Sequence, residues 1–497
     1  MTFKPFLKNP LLTISIGIII IFSGTVFFAT EASYNAIEEA SIWIRNYFGF
    51  FYLYLGLGCV LLLFAVAFSP LGRLKLGEKD EKPEHSLWAW TAMLYSAGMG
   101  AGILLRAVQE PVFMQQHPPY LSKLEPEILA LEFTFYQWGF TAWAFYGLFA
   151  MVMGYALFVR KKKVRVSATV EETISNRVAQ KGIDITTIIT TVFGLIAALG
   201  LGVTQISGGL NHVFGGGFDL MVTLLFAVLI SAIAFYSAWQ GVDKGIKIIS
   251  KVNILVTFLL LLFIFLTSDV VSILRAFAIA TSNYLVDFVP MSLAHGAFDP
   301  GIKFLTDWTF YYWAFWLAWA PFTGIFIARI SRGRTLRQLL LGVLILPSLG
   351  TFFWFSVFGT SAFQLIESFG NYNDEFGNVF SSLFIFFSHY PIPTVLNAIT
   401  IILLIGFLVT SLDSAVFVLS MFTDKGKMEP KKSHRLIWSA LILLATIALL
   451  LLGNVKPEID VLTTVQKLLI ITSLPFAFFM VIMTWVFLRE VITRPKN

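Results

Sequence analysis

Charge is scarce in this chain. Only 13% of its 497 residues are Asp, Glu, Lys or Arg, against roughly a quarter in soluble domains. So little charge cannot cover a water-facing surface, which excludes an ordinary soluble protein. Cysteine is all but absent: Cys59 stands alone, so no intrachain disulfide forms and the thiols do not report a compartment. The six histidines form no ligand-spaced pair within an apolar segment, and Cys59 has no histidine in its own. An enzyme built on metal or thiol chemistry is therefore not expected, and neither is a cofactor. Linkers and low-complexity runs are missing too; the longest polar stretch, Lys75 to His85, is a loop of ordinary size.

Apolar residues are abundant, at 57% of the chain with a mean hydropathy of +0.79. At about 20 residues per crossing, twelve segments emerge, near 11–29, 49–69, 88–107, 132–158, 184–206, 219–239, 252–270, 308–330, 338–359, 394–421, 435–453 and 467–489. They fill the chain and predict an all-α polytopic membrane protein surrounded by lipid, with no soluble domain. The first segment exceeds the apolar core of about 7–15 residues in a cleaved leader, so it is read as a retained span.

Basic residues set the orientation. Alternate loops carry several each, among them Arg160 to Lys163 with Arg165, Arg329, Arg332, Arg334 and Arg337, and Lys425, Lys427, Lys431, Lys432 and Arg435. The loops between them carry at most two, and 360–392 has Glu367, Asp374 and Glu375 but no Lys or Arg. Both termini are thus expected on the cytoplasmic side of the cell (inner or plasma) membrane. The net charge of +6 follows from this bias, and no nucleic-acid partner is needed to explain it. Segment 272–290, with Arg275 and Asp287, reads as an interfacial helix on the outer side; counting it as a span would invert the following basic loop.

The chain divides into 1–87 (two spans and a loop), 88–270 (five spans), 271–307 (interfacial helix and linker), 308–490 (five spans) and a tail at 491–497. Each five-span set opens with an unusual segment. The third carries Gly98, Gly100 and Gly102; the eighth carries Pro321 and Gly324. Paired interrupted helices point to a transporter's binding site, while small residues also serve plain helix packing.

Tryptophan placement is the most telling feature. Trp and Tyr usually gather at membrane interfaces, yet Trp138, Trp143 and Tyr146, and Trp316 with Trp319, lie near mid-segment. At 100° per residue the first three fall within an arc of about 140°, and the last two about 60° apart. Two aromatic faces inside a bundle suit a quaternary ammonium, which offers no N–H to hydrogen-bond and is held by ring quadrupoles at about 0.5–2 kcal/mol per ring. Packing by large buried rings is the bland alternative.

The run DWTFYYWAFWLAWAPF with ARISRGRTLR, SAGMGAGI followed by EP, TSLDS, LGLGVTQISGG at 199–209 and GVDKGIK at 241–247 together resemble the betaine/carnitine/choline transporters. The resemblance covers segments three to ten. It implies a LeuT-like five-plus-five inverted repeat, alternating access, a homotrimer and a small quaternary-ammonium substrate such as glycine betaine, choline or carnitine. It implies a cage of Trp138, Trp143, Tyr146 and Trp316, with Trp319 on the entry path and Gly98, Gly100 and Gly102 beside the substrate. Where the family often has a Trp pair, this chain has Phe315-Trp316. Relatives that sense osmotic stress through a long charged tail differ from this chain, in which about eight residues follow the last segment, so tail-based activation is not expected.

Thr410 and Ser411 place two hydroxyls at mid-helix, suited either to a hard cation or to bonding the preceding turn. The resemblance implies a sodium site from Thr410 and Ser411 with Ser96, Met99 and Phe407. A second would take Thr191 and Phe322, but Leu195 occupies its other threonine position, which puts that site in doubt. Sodium-independent exchangers of the family use a fixed positive charge instead; segments five and seven have no Lys or Arg in their cores, which leans towards sodium-coupled symport. Arg106 complicates this. An intramembrane charge is a functional candidate, either paired with Glu110 four residues on or reaching a substrate carboxylate or sulfonate. Asp413 is open to two readings, a proton carrier or a helix–helix hydrogen bond. The rival from another class is a membrane sensor or channel, but no ring-forming acidic or carbonyl signature of a pore is present.

Overall fold

Apolar helices are what a bilayer permits, because a backbone N–H or C=O without a partner there costs several kcal/mol. The computed structural model describes residues 9–98, 100–240 and 243–493. Residues 1–8, Met99, Gly241-Val242 of the 241–247 stretch, and the tail from Arg494 lie outside them.

In chain order the helices are α1 (Pro10–Phe28), α2 (Thr30–Phe68), α3 (Leu87–Gly98), α4 (Ala101–Arg106), α5 (Gln109–Gln116), α6 (Pro126–Trp138), α7 (Phe140–Gly154), α8 (Arg177–Phe214), α9 (Leu220–Gln240), α10 (Asp243–Thr267), α11 (Val270–Leu293), the single turn α12 (Gly301–Phe304), α13 (Phe310–Ile330), α14 (Leu336–Phe369), α15 (Ser382–Phe387), α16 (Pro393–Thr423), α17 (Lys432–Leu452) and α18 (Val461–Thr493). Among the described residues the only β-pairing is an isolated antiparallel bridge between Lys75 and Thr335.

Among the described residues, twelve helical stretches are long and apolar enough to cross a membrane. The count agrees with the sequence; the membership does not. The glycine-rich segment falls into the three short pieces α3, α4 and α5. The stretch expected to lie at the interface forms α11, which is 24 residues long and the least apolar of the twelve. The second span is the far end of the 39-residue α2. Pro321 does not interrupt its helix: α13 runs unbroken from Phe310 to Ile330, and its irregularity is a π-turn at Leu305–Thr309 ahead of it. The expected pairing of interrupted helices in segments three and eight is therefore not what forms.

The core sits around α13, which packs against α7, α8, α18 and α2. Small residues set these distances. A Cβ on Gly194 of α8 would stand 3.1 Å from the carbonyl oxygen of Ala318, and one on Gly324 would stand 2.7 Å from a ring atom of Phe149 on α7. The arginine-rich stretch after α13 is structural as well as topological. Arg337 donates to Ala67 O at the end of α2 (2.7 Å), Arg334 to His85 O (2.8 Å), and the Arg334 guanidinium lies 4.3 Å above the Trp90 ring.

Forcing a side chain into the α8–α13 contact tests this arrangement. Gly194→Leu is expected to lower stability in detergent by about 1–3 kcal/mol through overpacking. Gly58→Ala, whose Cβ meets nothing within 4 Å, should be neutral or slightly stabilising. Equal melting temperatures for the two variants would contradict the close contact.

Candidate functional site

Four rings repeat at intervals of four residues where α13 begins. Phe304, Trp308, Tyr312 and Trp316 stack along one side, successive centroids 6.2, 6.3 and 5.9 Å apart. The ladder faces α6, where Trp138 meets Trp316 edge to face at 5.0 Å and Tyr312 at 5.8 Å. Trp316 Nε1 donates to Gln137 O at 3.0 Å, which fixes the rotation of its ring.

The helix carrying Trp138 stops there. Gly139 breaks it, with φ −94° and ψ −133°, and α7 resumes at Phe140. A Cβ on Gly139 would lie 2.6 Å from Phe135 O and 2.8 Å from the Phe352 ring, so glycine is what the packing admits. The freed Phe140 N–H donates to the Tyr284 hydroxyl of α11 at 2.9 Å. The arc of about 140° expected for Trp138, Trp143 and Tyr146 presumes an unbroken helix, and the break removes that presumption. Tyr146 remains beside Trp316 at 6.3 Å. Trp143 packs edge-on against Tyr146 at 5.6 Å and does not line the cavity.

That cavity offers about 100 Å³ to the centres of water-sized molecules and is partly open to the outside. Trp138, Tyr146, Trp316 and Trp319 contribute aromatic wall; Gly100, Gly102 and Arg106 contribute the α4 side; Ser411 of α16 contributes a hydroxyl. The glycines are there for different reasons. Nothing lies within 4 Å of a Cβ on Gly100, whereas one on Gly102 would touch Trp138 at 3.5 Å. Gly98 is the last described residue of α3, and its surroundings lie outside the described set.

Glu110 lies behind the wall and ties its rings together. Its carboxylate is fully buried, accepts from Trp138 Nε1 at 3.1 and 3.2 Å, and accepts from the Tyr312 hydroxyl. Arg106 stands 3.8 Å away through Nε and donates to Gln109 Oε1 at 2.6 Å. Its guanidinium also lies over the rings of Trp308 (5.0 Å) and Tyr312 (6.0 Å). The Arg106–Glu110 pair expected from their spacing is thus formed, and Arg106 reaches the cavity as well.

Of the residues considered for an ion, Met99 and the side chain of Ser96 lie outside the described set. Thr410 Oγ1 donates to Gly406 O at 2.9 Å and Phe407 O at 3.2 Å; Phe407 is buried and Ser411 lines the cavity. Among the described residues no group of three or more His, Cys, Asp or Glu is placed to hold a metal ion, so any cation here would rest on hydroxyls and carbonyls. Leu195 is buried beside Thr191 on α8.

Sequence reasoning missed Tyr312, Gln205 and Gln466, which line the cavity together with Phe315, the residue noted beside Trp316. The four-residue aromatic spacing leading to Trp316 was a signal for Tyr312. Gln205 and Gln466 carried none.

The betaine/carnitine/choline family transporter profile matches residues 10–496. The glycine betaine transporter OpuD of Bacillus subtilis (strain 168) is 37% identical over 456 residues, covering 90% of this chain and 88% of the relative. The ectoine/hydroxyectoine transporter of Virgibacillus pantothenticus is 31% identical, covering 98% and 97%. The high-affinity choline transport protein of Escherichia coli (strain K12) is 32% identical, covering 93% and 69%.

Removing the Glu110 carboxylate leaves two donors without their acceptor and a buried guanidinium without its counter-charge. Glu110→Ala is expected to cost about 3–5 kcal/mol, the range for breaking a buried charged pair, and Glu110→Gln clearly less. Thermal unfolding in detergent reads this; wild-type melting of Glu110→Ala would contradict the role given to the carboxylate.

Proposed function

Because the chain belongs to the betaine/carnitine/choline transporter family, we propose that it carries a quaternary-ammonium osmolyte across the cell membrane as a secondary active transporter. The observation that carries this reading is the cavity lined jointly by Trp138, Tyr146, Trp316 and Trp319. Ring faces in a desolvated wall attract a trimethylammonium group and give it no acceptor to misalign with. Trp138 and Trp316 touch each other, so the cation is taken on the cavity-facing surfaces of the rings rather than between these two. Trp143 acts by backing Tyr146, and Trp319 lies along the same wall. Glycine betaine, choline and carnitine are the substrate types proposed; relatives named for glycine betaine and choline support the first two.

Coupling is read as sodium symport. Thr410 and Ser411 supply hydroxyls on α16, which packs on α4 of the broken glycine-rich segment, the combination of side-chain oxygens and freed backbone that holds small cations in broken-helix transporters. Phe407, Ser96 and Met99 complete the proposed set. A single sodium is favoured, since Leu195 offers no oxygen where a second would need one. Arg106 favours a second reading, sodium-independent exchange, because it is a fixed charge on the cavity wall. Its engagement with Glu110 and Gln109 weighs against that use. Alternating access, the inverted repeat, a homotrimer and cytoplasmic termini complete the proposal.

Uptake of labelled glycine betaine, choline and carnitine into proteoliposomes tests it. Uptake should need an inward sodium gradient, fall at least tenfold in Trp316→Ala, and lose its sodium dependence in Thr410→Ala/Ser411→Ala. Uptake indifferent to sodium but driven by substrate loaded inside would overturn symport in favour of exchange.

A further inference from the structure

Gln205 sits on the inner face of α8 and is 1% exposed, yet neither its Oε1 nor its Nε2 has a hydrogen-bond partner in the protein. Its side chain is part of the cavity wall that also holds Arg106, Trp138 and Trp316, and α8 packs directly on α4, the short helix that ends in Arg106. A carboxamide presents two donors and an acceptor. Burying it unpartnered is unfavourable, and a polar group kept in that state inside a membrane helix marks a place where something polar binds. Other buried hydroxyls of α8 are satisfied within the protein: Thr187 and Thr191 donate to the carbonyls of Ile183 and Thr187 one turn earlier, and Thr190 donates to Thr472 O of α18. Gln205 differs in being next to the cavity.

We propose that Gln205 donates from Nε2 to the acidic end of the substrate, and that the site therefore selects a zwitterion bearing a carboxylate over a cation bearing only a hydroxyl. The inference rests on the transport reading above and narrows its substrate class. Two features choose the carboxylate. Arg106 lines the same wall, and beyond its ion pair with Glu110 its one hydrogen bond among the described residues is to Gln109, so most of its five N–H donors are left for an anionic group nearby; Glu110 is already occupied by Trp138 and Tyr312. A compact zwitterion then meets aromatic faces at its ammonium end and a neutral N–H donor with a nearby cation at its acidic end. Discrimination follows from what a poor ligand leaves behind: a site built to hydrogen-bond one group rejects an analogue lacking it, because the buried partner stays unpaired.

The test is titration of the purified full chain with glycine betaine, choline and tetramethylammonium, read by intrinsic tryptophan fluorescence. Wild type should prefer glycine betaine to tetramethylammonium. In Gln205→Leu the ratio of those two affinities should fall at least tenfold, while the choline to tetramethylammonium ratio moves less than about threefold. Gln205→Glu, whose carboxylate repels that of betaine, should lower the first ratio further, and Gln205→Asn should recover part of it. Parallel loss of all three ligands in Gln205→Leu would mean a structural role, and unchanged ratios would mean that the amide does not touch substrate; either overturns the proposal and leaves the aromatic site standing. Failure of all three to bind wild type would instead overturn the aromatic site itself.

Discussion

A single buried carboxylate organises the wall of the cavity. Glu110 stands in the first turn of α5, and its oxygens receive the indole N–H of Trp138 from the end of α6 and the hydroxyl of Tyr312 from α13. Away from water these bonds are hard to replace, since an acceptor without donors there carries its full desolvation cost. The carboxylate therefore holds three elements of separate origin in register, and with them the rings of Trp138, Tyr312 and Trp316. Arg106 offsets its charge, and the rings of Trp308 and Tyr312 shelter the guanidinium in turn. Aromatic packing and ionic pairing are one structure here rather than two.

Broken helices give that wall its access. Gly100, extended ahead of α4, lies on the cavity wall, and the break at Gly139 separates the ring that lines the cavity, Trp138, from the ring that sits behind it, Trp143. Continuous helices lie opposite. α13 is clamped by close contacts at Gly194 and Gly324, and α8 brings Gln205 to the same space. Such a division, with interrupted elements against rigid ones, is how a transporter surrounds a substrate with backbone and side-chain groups while its helices stay hydrogen-bonded.

Much of this was legible from sequence, for identifiable reasons. Hydropathy yields twelve apolar helices because the bilayer leaves no alternative. The glycines at 98, 100 and 102 announce a real break, and the spacing of Arg106 and Glu110 announces a real pair. Other features depend on neighbours far along the chain. Gly139 interrupts its helix because Phe352 and Phe135 O occupy the space a side chain would need, and because Tyr284, 144 residues away, receives the freed N–H. Pro321 suggested an interruption, yet a membrane helix can absorb a proline when its surroundings support the freed carbonyl. Trp143 looked equivalent to Trp138 only under helical geometry that the break removes. Gln205 resembled any polar residue in a helix until its lack of a partner and its place on the cavity wall were seen together.

The central claim is that the aromatic wall recognises positive charge and not merely bulk. Choline and its neutral isostere 3,3-dimethylbutan-1-ol differ in charge at nearly constant shape, so comparing their binding to the purified chain by tryptophan fluorescence isolates that property. Two or three rings at about 0.5–2 kcal/mol each predict at least a tenfold preference for choline that largely disappears in Trp316→Ala. Equal affinity for the two molecules would contradict the account and leave the cavity an ordinary hydrophobic pocket.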